Sequence, residues 1–319
     1  MKAIQISRLE GPKAAELIDT DAPVAGEGQV LIDVRAAGVS FPDVLQSRGL
    51  YQTQPPMPYI PGAEVAGEVV AADRSTGFKS GDRVAAIRAA GAFAEQVVAQ
   101  ADMVFPLPDS ISFEDGASLP LNYLTVYFSL VERGQMAEGE SVLIHGAAGG
   151  VGTAGIQVAK AFGAGRVIAV TSTAEKGAVA LEAGADEFVL AEGFKDAVKA
   201  DGGVDIVLDP VGGDRFTDSL RCLKDDGRLL VVGFADGQIP TVKVNRLLLN
   251  NISVVGVGWG AYAFTRPGHV RKEWDALVPH LKSGALRPVS GTTFPLAEAA
   301  EALAFIEDRK ATGKVVLTI

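Results

Sequence analysis

The sequence predicts an α/β protein in which a mostly antiparallel β domain is followed by a doubly wound sheet of six parallel strands. Three observations carry that expectation. Residues 1 to about 108 hold short β-type runs separated by Gly, Pro and Asp. From residue 141 the chain alternates strand and helix. The strands of that later region are rich in Val, Ile and Leu on both faces, as in a sheet covered by helices on both sides.

In order, KAIQIS, QVLIDVRAAGV, AEVAGEVVAA, DRVAAIRA and FAEQVVA read as the strands of the first domain, with one short helix in FPDVLQSRG. Ser112 and Asp115 have the spacing of a capping box, and LNYLTVYFSLVER is long enough for a helix. VLIHG, RVIAVTS, EFVLA, VDIVLDP, RLLVVGF and SVVGVGW are the six parallel strands, joined by right-handed crossovers. WDALVPHLKSG reads as a helix, and TTFPLAEAAEALAFIEDRKATGKVVLTI as a turn, a helix and a final strand. That tail is expected to return to the first domain, because a finished six-stranded sheet leaves it no place. The expected division is residues 1–118 with 262–319, and 119–261.

The 29 Lys and Arg against 39 Asp and Glu give a formal charge of −10, which argues against nucleic acid or an anionic membrane as the main partner. A single cysteine, Cys222, excludes an intrachain disulfide and a cysteine-rich zinc site. His145, His269 and His280 have no ligand spacing, so no metal is expected. MKAIQISRLEG has no long apolar segment, and runs such as VVGVGW are far short of the roughly 20 residues a membrane helix needs. A cytoplasmic protein is the expectation.

Ala147-Ala148-Gly149-Gly150-Val151-Gly152 is a G-x-G-x-x-G loop with its first glycine replaced by alanine. It follows a buried-type strand and opens the helix GIQVAKAFG, whose amides and dipole suit a pyrophosphate. Gly149 lets the backbone come close to that group, and Gly152 lets the helix pack on the strand. An NAD site usually carries an acid about 20 residues on, yet the second strand ends Val170-Thr171-Ser172-Thr173. Ser172 and Lys176 suit a 2′-phosphate, which favours NADPH; Glu175 counts against it. Ser172 to Glu175 also has capping-box spacing, and Lys176 then has the alternative of being merely solvated.

These motifs together resemble the medium-chain dehydrogenase/reductase superfamily, and within it the zinc-independent quinone oxidoreductase branch. AAGVSFPDVLQSRGLY, PYIPGAEVAGEVV, SGDRVAA, LPLNYLTVYFSL, HGAAGGVG, DPVGG and ATGKVVL carry the resemblance over essentially the whole chain. It implies a GroES-like first domain, a Rossmann second domain and a homodimer formed through the sixth Rossmann strand. The zinc dehydrogenases' catalytic cysteine position is Ser40 here and their PGHE histidine is Ala63, which removes the zinc mechanism. Glu64 is then left with a hydrogen bond inside its domain. By the same resemblance Ser40, where the branch often has asparagine, lies near the nicotinamide, and Tyr51 is a proton donor or an aromatic wall. Thr125, Gly233, Phe234, Val257 and Gly258 are implied at the nicotinamide end. A family tyrosine that contacts the 2′-phosphate is replaced by Ala191, which leaves that contact to Ser172 and Lys176.

The implied reaction is hydride transfer from NADPH to a quinone or another conjugated carbonyl. The alternatives are an enone or 2-enoyl thioester reductase on the same fold, and a weakly active NADPH-binding interaction protein.

Overall fold

The structure is a computed structural model that describes residues 1–319, the side chain of Ser290 apart. The chain begins with β1 (Lys2–Ile6) and β2 (Ala15–Asp19), an antiparallel pair, and then β3 (Gln29–Val39), the 11-residue strand around which the first lobe is built. Helix α1 (Phe41–Ser47) follows, then β4 (Glu64–Ala72), β5 (Arg83–Ile87), β6 (Gln96–Gln100) and β7 (Val104–Pro106). Helix α2 (Phe113–Gly116) is capped where the sequence predicts, by Ser112 Oγ accepting from the Asp115 amide at 3.1 Å. Helix α3 (Pro120–Tyr127) runs into a π-helical turn at Phe128–Arg133, so the expected single helix changes its winding after Tyr127.

The second lobe holds six parallel strands: β8 (Ser141–His145), β9 (Arg166–Thr171), β10 (Glu187–Leu190), β11 (Val204–Asp209), β12 (Leu223–Val231) and β13 (Ser253–Gly256); β12 begins at Leu223, ahead of the expected RLLVVGF, and β13 stops at Gly256 rather than running on to Trp259. Their crossover helices are α4 (Gly150–Ala161), α5 (Ala174–Glu182), α6 (Phe194–Ala200), α7 (Arg215–Arg221) and α8 (Asn245–Asn250). The sheet order is β10-β9-β8-β11-β12-β13, all parallel. The order reverses between β8 and β11, and such sheets bind ligands outside the carboxyl ends of the strands at that point. Leu143, Val170, Val207 and Leu229 pack with Phe194, Phe216 and Leu220 from the covering helices. Val142, Ile144, Ile206, Leu208 and Leu230, which alternate with these along the strands, are buried as well, which is why the strands read as apolar on both faces.

After α9 (Trp259–Ala263) and α10 (His269–Ser283) the chain adds β14 (Ser290–Pro295), α11 (Ala299–Glu307) and β15 (Lys314–Thr318). β15 pairs antiparallel with β3, Val315 opposite Val39, so the tail does return to the first lobe. β14, which the sequence reading took for a turn, pairs parallel with β15. Val30, Ile32, Phe93 and Val97 share a core with Leu303 of α11 and Val315 and Leu317 of β15.

The chain divides into two compact lobes, Met1–Leu121 with Pro267–Ala276 and Pro288–Ile319, and Asn122–Arg266 with Leu277–Arg287. The second half of α10, assigned from sequence to the first domain, belongs to the second lobe, because Gln157 of α4 holds the segment that follows it. Its Oε1 accepts from the Arg287 amide at 2.8 Å and from the Tyr123 hydroxyl at 2.7 Å, while its Nε2 donates to the Arg287 carbonyl at 2.5 Å. Among the described residues no helix is long and apolar enough to cross a membrane.

Candidate active site

In the second lobe the Gly-rich segment lies between β8 and α4, beside the point where strand order reverses. Gly146 takes the left-handed turn, with φ of +59°. The task of the missing first glycine has therefore moved one residue upstream, and Ala147 follows it fully buried. Gly149 is the N-cap of α4, and its own N–H is spent on the Gly146 carbonyl at 3.0 Å. The amides of Gly150, Val151 and Gly152 open the first turn, where helix geometry supplies no acceptor.

The glycines differ in what surrounds them. A Cβ on Gly152 would come within 2.2 Å of the Gly146 carbonyl oxygen and 2.5 Å of Ala147 Cα. On Gly149 the nearest atom would be 3.5 Å away, so that side of the loop is open. Ala148 is 4% exposed and lines the turn from within. An open, amide-lined turn whose buried glycine fixes the helix is what a pyrophosphate needs, so the residues present fit a dinucleotide.

Apart from Thr125, the other residues expected at the cofactor follow the carboxyl ends of the neighbouring strands. Ser172 follows β9 and is exposed. Thr173, not Ser172, caps α5, accepting from the Lys176 amide at 3.3 Å, which corrects the capping box expected at Ser172. Lys176 is half-buried in the first turn of α5, and no acid ends β9. Beyond β11, Asp209 Oδ1 accepts from the amides of Val211 and Gly212, both at 2.9 Å, which shapes the DPVGG turn. Gly233 and Phe234 follow β12, and the Gly233 amide reaches the Asp209 carbonyl at 3.4 Å. Val257 and Gly258 follow β13, with the Val257 amide on the Val231 carbonyl at 2.9 Å. Thr125 is half-exposed in α3, and its carbonyl accepts from Ser129 Oγ.

His145, at the end of β8, is fully buried. Burial pushes its pKa down to about 4, against an opposing effect of Asp209, so the ring is neutral at pH 7. Ser219 Oγ donates to the Arg215 carbonyl at 2.9 Å, so His145 Nε2, 2.7 Å from that oxygen, is the donor. The ring is thereby committed to the interior of the lobe.

The first lobe carries a second group. Ser40 is the N-cap of α1, and its amide donates to Asp43 Oδ2 at 2.8 Å. The Gly62 amide donates to Asp43 Oδ1 at 3.2 Å. Lys314 of β15 places its Nζ 2.5 Å from Ser40 Oγ and pairs with Glu64 Oε1. Glu64 Oε2 accepts from the Leu121 amide at 2.7 Å. Ser40, Asp43, Glu64 and Lys314 are 7%, 1%, 0% and 4% exposed, so the cluster is a buried polar knot. Glu64 does bond inside its lobe, as the sequence reading expects, but an ammonium ion is also its partner. Lys314 had no assigned role from sequence; the available signal was a lone cation heading the apolar run Val315, Val316, Leu317.

Burial raises the Asp43 pKa from 3.8 to about 7, against the amide bonds and Lys314, which favour the carboxylate. Folding therefore takes up a proton at Asp43 between those values. Its contribution to stability is fully present below about pH 4 and is lost as pH rises through about 7, at roughly 1.4 kcal/mol per unit. Urea denaturation of the wild type and Asp43→Asn at about pH 5 and 8 checks this. The wild type should lose stability relative to the variant at the higher pH, and a constant gap would contradict the assignment. Tyr51 is half-buried, and burial, then the charge of Asp43, raises its pKa.

Residues 26–109 match the alcohol dehydrogenase GroES-like domain family, and residues 150–283 the zinc-binding dehydrogenase family. Quinone oxidoreductase-like protein 2 of Mus musculus is 38% identical over 301 residues, covering 92% of this chain and 86% of its own. Quinone oxidoreductase of Homo sapiens is 33% identical, covering 100% of this chain and 98% of its own. The solved quinone oxidoreductase of Thermus thermophilus, described also in complex with NADPH, superposes with a TM-score of 0.88 at 39% identity over 100% of both chains.

Proposed function

Because the chain belongs to the zinc-independent quinone oxidoreductase branch of the medium-chain dehydrogenase/reductase superfamily, and is an oxidoreductase served by a nicotinamide cofactor, we propose that it reduces a quinone with NADPH. When bound, NADPH supplies the hydride. The protein's share is to hold the pyrophosphate on the amides of Gly150, Val151 and Gly152, and the nicotinamide end near Thr125, Gly233, Phe234, Val257 and Gly258. It then orients the acceptor and excludes water. Ser40 and Tyr51 are the groups of the first lobe proposed to meet the acceptor.

The observation that carries the cofactor preference is the end of β9, where Ser172 is uncommitted to the helix cap and no acid ends the strand; Glu175, in the first turn of α5, bonds back to its own backbone and to Thr173. The solved complexes of the Thermus thermophilus and Escherichia coli quinone oxidoreductases with NADPH support the same choice. Fluorescence titration should show NADPH binding far more tightly than NADH; equal affinity would refute the preference. Lys176→Ala should weaken NADPH by about 1–3 kcal/mol, as expected for a partly exposed charge-assisted contact, and leave NADH nearly unchanged.

Assembly as a homodimer is part of this reading. β13 pairs only with β12 among the described strands, which leaves one edge open. Residues 259–263 form α9, so the chain's continuation adds no strand there. Ile239, Val244, Leu248 and Leu249, in the segment leading into β13, are 76%, 71%, 76% and 74% exposed, an apolar surface that a soluble monomer rarely shows. Pairing of β13 with its counterpart across a two-fold axis would continue the sheet. Light scattering should give about twice the 33.1 kDa chain mass. Val255→Lys should move the mass towards the monomer, and a wild-type monomer at micromolar concentration would end the idea.

A further inference from the structure

Building on the quinone-reductase reading, we propose that Ser40 donates the proton to the oxygen of the reduced acceptor, and that Lys314 is the positioning residue that orients and resupplies it. An ammonium group can only donate, so in the 2.5 Å contact Ser40 Oγ is the acceptor. The hydroxyl's own hydrogen is thereby directed away from Lys314. Ser40 is 7% exposed, against 1%, 0% and 4% for Asp43, Glu64 and Lys314, and it is the member of the knot proposed above to meet the acceptor.

The charge itself argues for a task. Lys314 heads a strand whose next three residues, Val315, Val316 and Leu317, are buried. A methionine would fill similar space without removing a cation from water, and replacing a buried ion pair by apolar groups is often neutral or stabilising. The fold instead makes room for the pair. A Cβ on Gly38 would lie 2.4 Å from the Ala117 carbonyl oxygen and 2.7 Å from Glu64 Cγ and Oε1, so glycine here admits both the backbone of Ala117 and the carboxylate. The Leu121 amide and Glu64 together fix the ammonium against Ser40. A cation bonded to a hydroxyl oxygen makes its O–H a better donor to a nascent oxyanion in a site of low dielectric.

Hydride delivered by the cofactor brings two electrons and one hydrogen to the acceptor, breaks one π bond and leaves a reduced oxyanion. The Ser40 O–H bond breaks as an O–H bond forms on that oxygen. Lys314 passes a proton to Ser40 Oγ, and one proton taken up from solvent restores its ammonium group after the product leaves. One NADPH, one quinone and one proton become NADP⁺ and the hydroquinone.

The test uses the wild type, Ser40→Ala, Ser40→Thr, Tyr51→Phe and the double variant Lys314→Met/Glu64→Gln, which removes both charges of the pair together. NADPH oxidation is followed with a series of quinones whose reduced oxygens span a range of basicity. Ser40→Ala should lower kcat about 100-fold for the most basic oxygen and progressively less towards the acidic end, with KM for NADPH unchanged. The double variant should show the same gradient, and Ser40→Thr, which keeps the hydroxyl, should recover to within a few-fold of wild type. A merely structural role would lower every quinone by one factor. Independently of turnover, 4-nitrophenol stands in for the product oxygen. Its absorbance should report altered ionisation on binding to the wild type and none on binding to Ser40→Ala. Uniform losses, wild-type kcat in either Ser40→Ala or the double variant, or the gradient appearing in Tyr51→Phe instead would overturn the proposal while leaving the quinone reading intact. A wild type inert towards every quinone would overturn both.

Discussion

The Gly152→Val variant is expected to lose dinucleotide binding altogether. The first added carbon would stand 2.2 Å from the Gly146 carbonyl oxygen and 2.7 Å from the Ala147 carbonyl carbon, and these are backbone atoms of the same tight loop. Neither can rotate away, so α4 must move off β8 and carry the amides of Gly150, Val151 and Gly152 with it. Overpacking of this kind costs typically about 1–3 kcal/mol, and the valine branch adds to it. Affinity for NADPH, measured by fluorescence titration, should fall by at least about 1,000-fold, the loss expected when several charge-assisted bonds to one pyrophosphate are misplaced together. A folded variant that kept affinity within about tenfold would place the phosphates elsewhere. Gly149→Ala is the contrast. Its Cβ would meet nothing closer than 3.5 Å, so stability should be kept while the approach of the phosphate is narrowed.

The second large effect is on stability. Lys314→Met is expected to destabilise the protein by about 3–5 kcal/mol, because it leaves the Glu64 carboxylate buried without its cation. Glu64 is 0% exposed and has one remaining donor, the Leu121 amide. Adding Glu64→Gln should recover most of the loss, since the neutral amide can still accept from that N–H. Urea midpoints of the single and double variants read the difference directly. Similar midpoints for the two would mean that the carboxylate carries no uncompensated charge in the single variant.

The six parallel strands were legible as apolar runs, but β12 starts at Leu223, across the charged Lys224, Asp225 and Asp226 that an apolar pattern leaves out, and β13 stops at Gly256, short of α9 at Trp259. The loop at 146–152 was legible as well, although the residue that makes its turn is Gly146 rather than the alanine at the first motif position. β14 was hidden because Gly291, Thr292, Thr293 and Pro295 carry turn-forming chemistry, and only its pairing with β15 makes it a strand. The cap of α5 was misplaced by one residue because Ser172 and Thr173 are both good N-caps, and local sequence cannot rank them. The knot around Lys314 was illegible for a different reason. Its members stand at 40, 43, 64 and 314, and only the pairing of β15 with β3 brings the last of them to the others.

That pairing also sets an order of assembly. A ribosome releases Asn122–Arg266, the bulk of the second lobe, as one uninterrupted piece that can close its sheet as soon as β13 is out. The first lobe has no such option. From Ala36 to Val39 the edge of β3 waits for Val315 to Thr318, and the core under it waits for Leu303. Contacts so distant along the chain form slowly, and an unpaired apolar edge invites other chains while it lasts. The amino-terminal lobe is therefore the last to finish. A chain cut short before Lys314 loses a strand, a cation and the closure of that edge together.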